Sequence, residues 1–209
     1  MRLLGFVAGA LTLVLSSGAN AQPWISHLGA EDRFAISFPS EPTIEEIEWI
    51  DEDGEARSAR RYSSERTGNI YTLIAVDYSD ADDSKLRRSY AHAASVYRQK
   101  GDVIYDSEAQ MDRIDGHQLE ITLDNGRSLY FSAYAHGGRL YVLDAEVSAR
   151  AAPPGQFHEG LQIVDEEGVR VRYTNEGERM YRADDLQDAL GGADHDAPYV
   201  QGTSDEFIP

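Results

Sequence analysis

Glu120, Tyr130 and Asp144 are the residues whose types and spacing come closest to a reaction. Placed side by side on three neighbouring antiparallel strands, the two carboxylates sit on backbones roughly 10 Å apart, because adjacent strands are about 4.8 Å apart. Side chains leaning toward one another then bring the carboxyls into the range used by inverting glycoside hydrolases, one as general acid and the other as general base. Tyr134, Thr122, Ser128, Ser132 and Glu146 fall on the same face and complete a polar surface suited to a ligand or a partner. An antiparallel sheet also commonly keeps one solvated polar face with no task at all. The expected binding residues are therefore Glu120, Tyr130, Tyr134 and Asp144, with no catalytic residue assigned.

Other chemistry has less support. His136-Gly137-Gly138 echoes a glycine-rich oxyanion loop, but no G-x-S-x-G elbow presents a serine, and a hairpin turn explains the glycines. Neither G-x-x-x-x-G-K nor G-x-G-x-x-G occurs, so no nucleotide cofactor is implied. No two of the histidines have the i, i+4 spacing that puts two imidazoles on one helical face, so no metal is expected. Asp51, Asp53 and Glu55 have the alternate spacing of a calcium loop. Ala56 stands where the loop glycine belongs and Tyr62 where the closing glutamate belongs, which favours a solvated hairpin tip.

These residues need a sheet to carry them. Phe34, Ile36 and Phe38 alternate with Ala35 and Ser37 before Pro39 and Pro42, marking a first strand. Residues 43–49 and 56–65 form a hairpin around Asp51-Glu52-Asp53-Gly54, and residues 70–78 a further strand rich in β-branched and aromatic types. The period then changes. Leu86, Tyr90, Ala93, Ala94 and Tyr97 recur at helical spacing, with Asp80, Asp82 and Asp83 at the end that favours negative charge and Gly101 as the stop. This predicts the main helix over 84–100.

A meander follows, with strands at 103–111, 117–123, 127–135 and 139–147. A three-residue loop Asp124-Asn125-Gly126 places Ile121 opposite Leu129, Leu119 opposite Phe131 and Glu120 opposite Tyr130. A two-residue turn would pair apolar with polar. The same test on His136-Gly137-Gly138 favours a three-residue loop, pairing Phe131 with Leu143, Leu129 with Ala145 and Tyr130 with Asp144. The expected core face is then Leu119, Ile121, Leu129, Phe131, Tyr141 and Leu143. Beyond Pro153-Pro154, residues 155–164 read as a short helix, and Val169, Val171 and Tyr173 as an edge strand.

The chain of 209 residues carries a formal charge of −18 and no cysteine. Such a surface disfavours nucleic acid, whose binding needs the opposite sign. It equally disfavours anionic lipid. Without disulfides, the fold rests on its hydrophobic core. Met1-Arg2, an apolar run from Leu3 to Leu15 and Ala19-Asn20-Ala21 have the layout of a cleavable export signal. The run is short of the roughly 20 residues a membrane-spanning helix needs. The expected organisation is a signal peptide at 1–21, one globular domain at 22–173 and an acidic, disordered tail at 174–209, where nine carboxylates face only Arg179 and Arg182. Export places the mature protein in the periplasm or outside the cell, without membrane insertion.

Trp24, the run Phe34 to Pro42, the helix between strands, the meander ending at Gly138 to Leu143 and the closing element Phe157 to Leu161 together resemble exported bacterial proteins of the PsbP-like α/β class. The resemblance covers about residues 24–164 and leaves the acidic tail outside. It implies an α+β fold, an antiparallel sheet with one main helix on one face and a short C-terminal helix. It also implies an accessory or protein-binding role with no shared catalytic residues to transfer. The resulting expectation is an exported, non-enzymatic binding or accessory module for an unknown protein or small polar ligand, with no cofactor. The alternative is a carbohydrate-active hydrolase using Glu120 and Asp144.

Overall fold

Period-two alternation of apolar and polar residues turns most of this chain into strands. The computed structural model describes residues 23–181 and 200–201, so the expected signal peptide lies outside the described residues. In chain order the elements are β1 (Ile25–Gly29), β2 (Phe34–Phe38), β3 (Thr43–Ile50), β4 (Ala56–Arg66), β5 (Asn69–Asp77), α1 (Asp83–Tyr97), β6 (Gly101–Met111), β7 (Ile114–Leu123), β8 (Ser128–His136) and β9 (Arg139–Val147). After them come a single helical turn α2 (Gly155–His158), β10 (Gln162–Ile163), β11 (Met180–Tyr181) and β12 (Val200–Gln201). A seven-stranded antiparallel sheet runs β3-β4-β5-β9-β8-β7-β6, and a small sheet runs β1-β2-β10. No described helix is long and apolar enough to cross a membrane.

The large sheet is covered on both faces. Helix α1 starts on Asp82, whose side chain accepts from the Lys85 N–H at 2.7 Å, a capping bond of the kind worth about 1 kcal/mol. Small residues Ala93 and Ala94 let it lie close to Leu119, Ile121, Leu129, Phe131, Leu140 and Val142. Tyr97 ends the helix with its ring 4.4 Å from that of Phe131. On the other face Tyr71, Leu73, Tyr141 and Leu143 pack against Phe34, Phe38, Phe157 and Leu161 of the small layer. Asp32 ties the layers together: Arg60 donates to it twice, at 2.7 and 2.8 Å, and the Tyr62 hydroxyl donates at 2.6 Å.

Three expectations are corrected. Strand β1 precedes the expected first strand; its residues are mostly exposed, so no clean alternation marks it. The helix expected over 155–164 is the single turn α2, because Ile163 pairs with Phe34 and Val164 donates to the Arg33 carbonyl, which pulls this stretch into the small sheet. Residues 169–173 make bridges, Val164 to Arg170 and Tyr173 to Arg179, in place of a continuous edge strand. The β3–β4 hairpin tip is anchored through Asp51, while Asp53 and Glu55 stay exposed as expected of a solvated tip. Buried Asp51 accepts from the Asp53 and Glu55 N–H groups, from Arg57 at 2.8 Å and from Lys85 of α1 at 2.9 Å. Burial alone would raise the Asp51 pKa, but Lys85, Arg57 and the two amides together hold it well below the usual carboxylate range.

The first part of the acidic segment, residues 174–181, folds back through a turn at Thr174, the Tyr173–Arg179 bridge, a hydrogen bond from the Met180 N–H to the Arg172 carbonyl and an ion pair of Arg179 with Asp165 at 2.7 Å; β11 pairs with β12 in a separate two-stranded sheet. Most of the rest lies outside the described residues.

Candidate functional site

The β7–β8 loop is Asp124-Asn125-Gly126 with Gly126 at φ 76°, so Glu120 faces Tyr130, Ile121 faces Leu129 and Leu119 faces Phe131, as apolar pairing predicts. The β8–β9 connection is different. His136 pairs with Arg139, so only Gly137 and Gly138 lie in the turn, with φ of 57° and 71°. A two-residue type I′ turn requires positive φ at both central residues, and two glycines supply it without strain. Tyr130 therefore faces Ala145, and Asp144 faces Phe131.

This one-residue difference divides the expected site. Glu120, Tyr130 and Tyr134 lie on the face toward the small sheet, and Asp144 lies on the helix face; Tyr141 and Leu143 correspondingly leave the expected core face for the opposite one. Tyr134 is buried, its hydroxyl accepting from Gln118 at 3.2 Å. Tyr130 is half-buried, and burial and Glu120 raise its pKa. Glu120 and Asp144 point away from opposite sides of one sheet, so they cannot flank a common glycosidic bond.

Two further polar pairs each join a buried residue, Tyr97 or Ser132, to a half-buried one, Asp144 or His158. On the helix side, the Tyr97 hydroxyl donates to Asp144 Oδ2 at 2.5 Å, and the Lys100 ammonium lies 3.5 Å from the centre of the Tyr97 ring. Burial pushes both Asp144 and Tyr97 upward in pKa. On the other side, His158 Nδ1 lies 2.9 Å from Ser132 Oγ, and Ser132 is fully buried. Burial lowers the His158 pKa to about 4. A serine beside a neutral imidazole is half of a nucleophilic pair, but a substrate carbonyl has no route to a serine sealed in the core.

An open cleft of about 340 Å³ lies where three elements meet: the first half of α1, the β6–β7 turn and the β8–β9 turn. Leu86, Ile114 and Ala135 contribute apolar surface, Tyr90 and Tyr173 two phenols, and Asp83, Arg87, Arg113 and Asp115 four charges. His136 stands beside them, its ring 5.8 Å from that of Tyr173 and its pKa lowered by burial and by Arg179. Tyr90 is shifted upward in pKa by burial and then by Asp115 and Glu108, with Arg87 opposing.

The charges of this cleft do not satisfy one another. Among the described residues, Asp83, Arg87 and Arg113 make no hydrogen bond or ion pair through their side chains, and Asp115 accepts only from Gln110, at 2.9 Å. The smaller cleft of about 200 Å³ beside β4 contrasts with it: there Arg60 is paired with Asp32, and Arg139 with Asp77. Arg113 has a second peculiarity. Together with Asp112 it forms the two-residue β6–β7 turn, and both have positive φ, 49° and 68°. Asp tolerates this conformation, and Arg170 holds Asp112 at 2.6 and 2.9 Å. An arginine in the left-handed region costs about 1–2 kcal/mol.

None of the cleft residues was among the expected binding residues. The local mark that distinguishes the site in sequence is Asp112-Arg113 between two strands, where a hairpin of this length favours Asp-Gly. A scan against models of known protein families finds no match for this chain, and neither does a comparison with curated proteins.

Proposed function

We propose that the protein is an exported, non-enzymatic binding module that takes a small polar ligand in the cleft between α1 and the two turns. The observation that carries this reading is the pair Arg87 and Arg113, which line an open cleft without a partner among the described residues. Two arginines beside apolar surface and two phenols make the composition of a small-molecule site: an apolar lining with a few convergent polar groups, at the lower end of the usual volume range of about 300–1,000 Å³. A binding role also agrees with the accessory character implied by the PsbP-like resemblance. The division of Glu120 from Asp144 removes the geometric basis of the hydrolase alternative.

Export is part of the proposal and rests on the signal layout at 1–21. Intact-mass measurement of secreted protein is expected to give Gln22 as the first residue; full-length protein retained in the cytoplasm would contradict it. For the site, a ligand that binds only the folded state raises the melting temperature. A screen of small organic acids, amino acids and sugars should yield compounds that raise the Tm of the wild type and leave the Arg87→Ala/Arg113→Ala double variant unchanged. Equal shifts in both proteins would place the site elsewhere.

A further inference from the structure

We propose that the ligand is a compact zwitterion, an α-amino acid, with its carboxylate on Arg87 and Arg113 and its ammonium on Asp83 and Asp115. This rests on the reading of the cleft as the binding site and adds the ligand's chemical class.

The argument starts from charge. The whole chain is strongly acidic at −18, yet the charged side chains lining this cleft are balanced, two arginines against two aspartates. Opposite charges that share a cleft ordinarily pair with one another. Here no arginine reaches either aspartate within ion-pair distance among the described residues. A ligand carrying both signs answers both sets at once, whereas a simple anion meets the repulsion of Asp83 and Asp115, and a simple cation that of Arg87 and Arg113. Arginine suits a carboxylate in particular, since its planar fork can donate two parallel hydrogen bonds. Leu86, Ile114 and Ala135 supply surface for an apolar side chain.

The turn supplies a second, independent observation. Arg113 occupies the position of a two-residue hairpin where glycine is favoured, in a conformation that arginine adopts at a loss. Strained backbone of this kind persists where the surrounding structure fixes it, and it clusters at ligand sites. Here Ile114, which follows directly, is buried in the core, and Asp112 is held by Arg170, so the turn cannot relax. The consequence is that the Arg113 side chain issues from the cleft wall. Glycine would adopt this conformation without strain, so we assign Arg113 to ligand specificity and not to the fold.

Calorimetric titration with leucine, N-acetylleucine and leucinamide separates the two charges of the ligand on one apolar body. Leucine is expected to bind at least tenfold more tightly than either singly charged relative. Arg113→Gly is expected to raise the Tm by about 3 °C while weakening leucine binding at least tenfold. Arg87→Ala, on an exposed helical position, is expected to weaken leucine binding with the Tm unchanged. Binding of N-acetylleucine as tight as that of leucine would overturn the zwitterion assignment while leaving the cleft as a site. Failure of all three probes would overturn the assignment too; the cleft reading then stands or falls with the wider screen above. A lowered Tm or unchanged leucine affinity in Arg113→Gly would overturn the role given to the turn.

Discussion

Tyr97 at the end of α1 donates its hydroxyl proton to Asp144 Oδ2 in the middle of the sheet, at 2.5 Å. The half-buried carboxylate is partly withdrawn from water at this interface, and burial raises its pKa despite the hydroxyl and Lys100. A carboxyl whose folded pKa lies above its unfolded value of about 3.9 imposes no penalty in acid. As pH rises above that value, the unfolded chain gives up this proton first, so stability falls until the folded group has also ionised. Asparagine keeps the acceptor for Tyr97 and removes the charge. Asp144→Asn is expected to be more stable than the wild type at pH 8 and no more stable at pH 3, as measured by urea unfolding. A destabilised variant at pH 8 would mean that the charge itself holds the helix.

Asp51 is the opposite case. Its partners depress its pKa, so its stabilisation is complete above about pH 4 and is lost as pH falls through the lower folded value. Asp51→Ala leaves Arg57 and Lys85 facing a buried gap and frees two turn amides. A loss of about 3 kcal/mol is expected at neutral pH, in keeping with removal of one partner from a buried ion pair. A loss under 1 kcal/mol would show that the hairpin tip does not need its anchor.

Burial holds His158 neutral down to about pH 4, below the ordinary histidine value of about 6.5. Its contribution is therefore complete above pH 6.5 and declines toward pH 4, at up to about 1.4 kcal/mol per pH unit. His136 is shifted in the same direction and adds to the slope of the wild type. His158→Gln should flatten the stability curve between pH 6.5 and 4 by up to one proton. An unchanged slope would place the histidine in contact with water.

Glu120→Gln tests the sheet face as an alternative binding surface. Glu120 is half-buried beside Tyr130, five residues along β7 from Asp115, and it does not line the cleft. The change is expected to be within about 0.5 kcal/mol of neutral and to leave ligand binding intact. Loss of binding would return the site to this face.

Strand and helix positions were largely legible because their periods differ, and the β7–β8 register was legible because Glu120, Thr122 and Ser128 contrast with Ile121 and Leu129. The β8–β9 register was not. Along β9 the residues Leu140 to Leu143 are all buried, since the sheet is covered on both faces, and apolar pairing cannot choose between adjacent registers there. Turn chemistry could have chosen, because Gly137-Gly138 is a type I′ signal in its own right. The cleft was hidden for another reason. Its residues come from α1, the two turns and Tyr173, and only the crossover that brings the meander back beside β5 puts them together.

The most direct test of the cleft as a ligand site is residue-resolved NMR during a titration with leucine. Backbone shifts confined to Arg87, Tyr90, Arg113, Asp115 and His136, saturating with a single affinity, are the expected result. Saturating shifts centred on Glu120 and Tyr130, or on any surface that leaves Arg87 and Arg113 unmoved, would contradict the account.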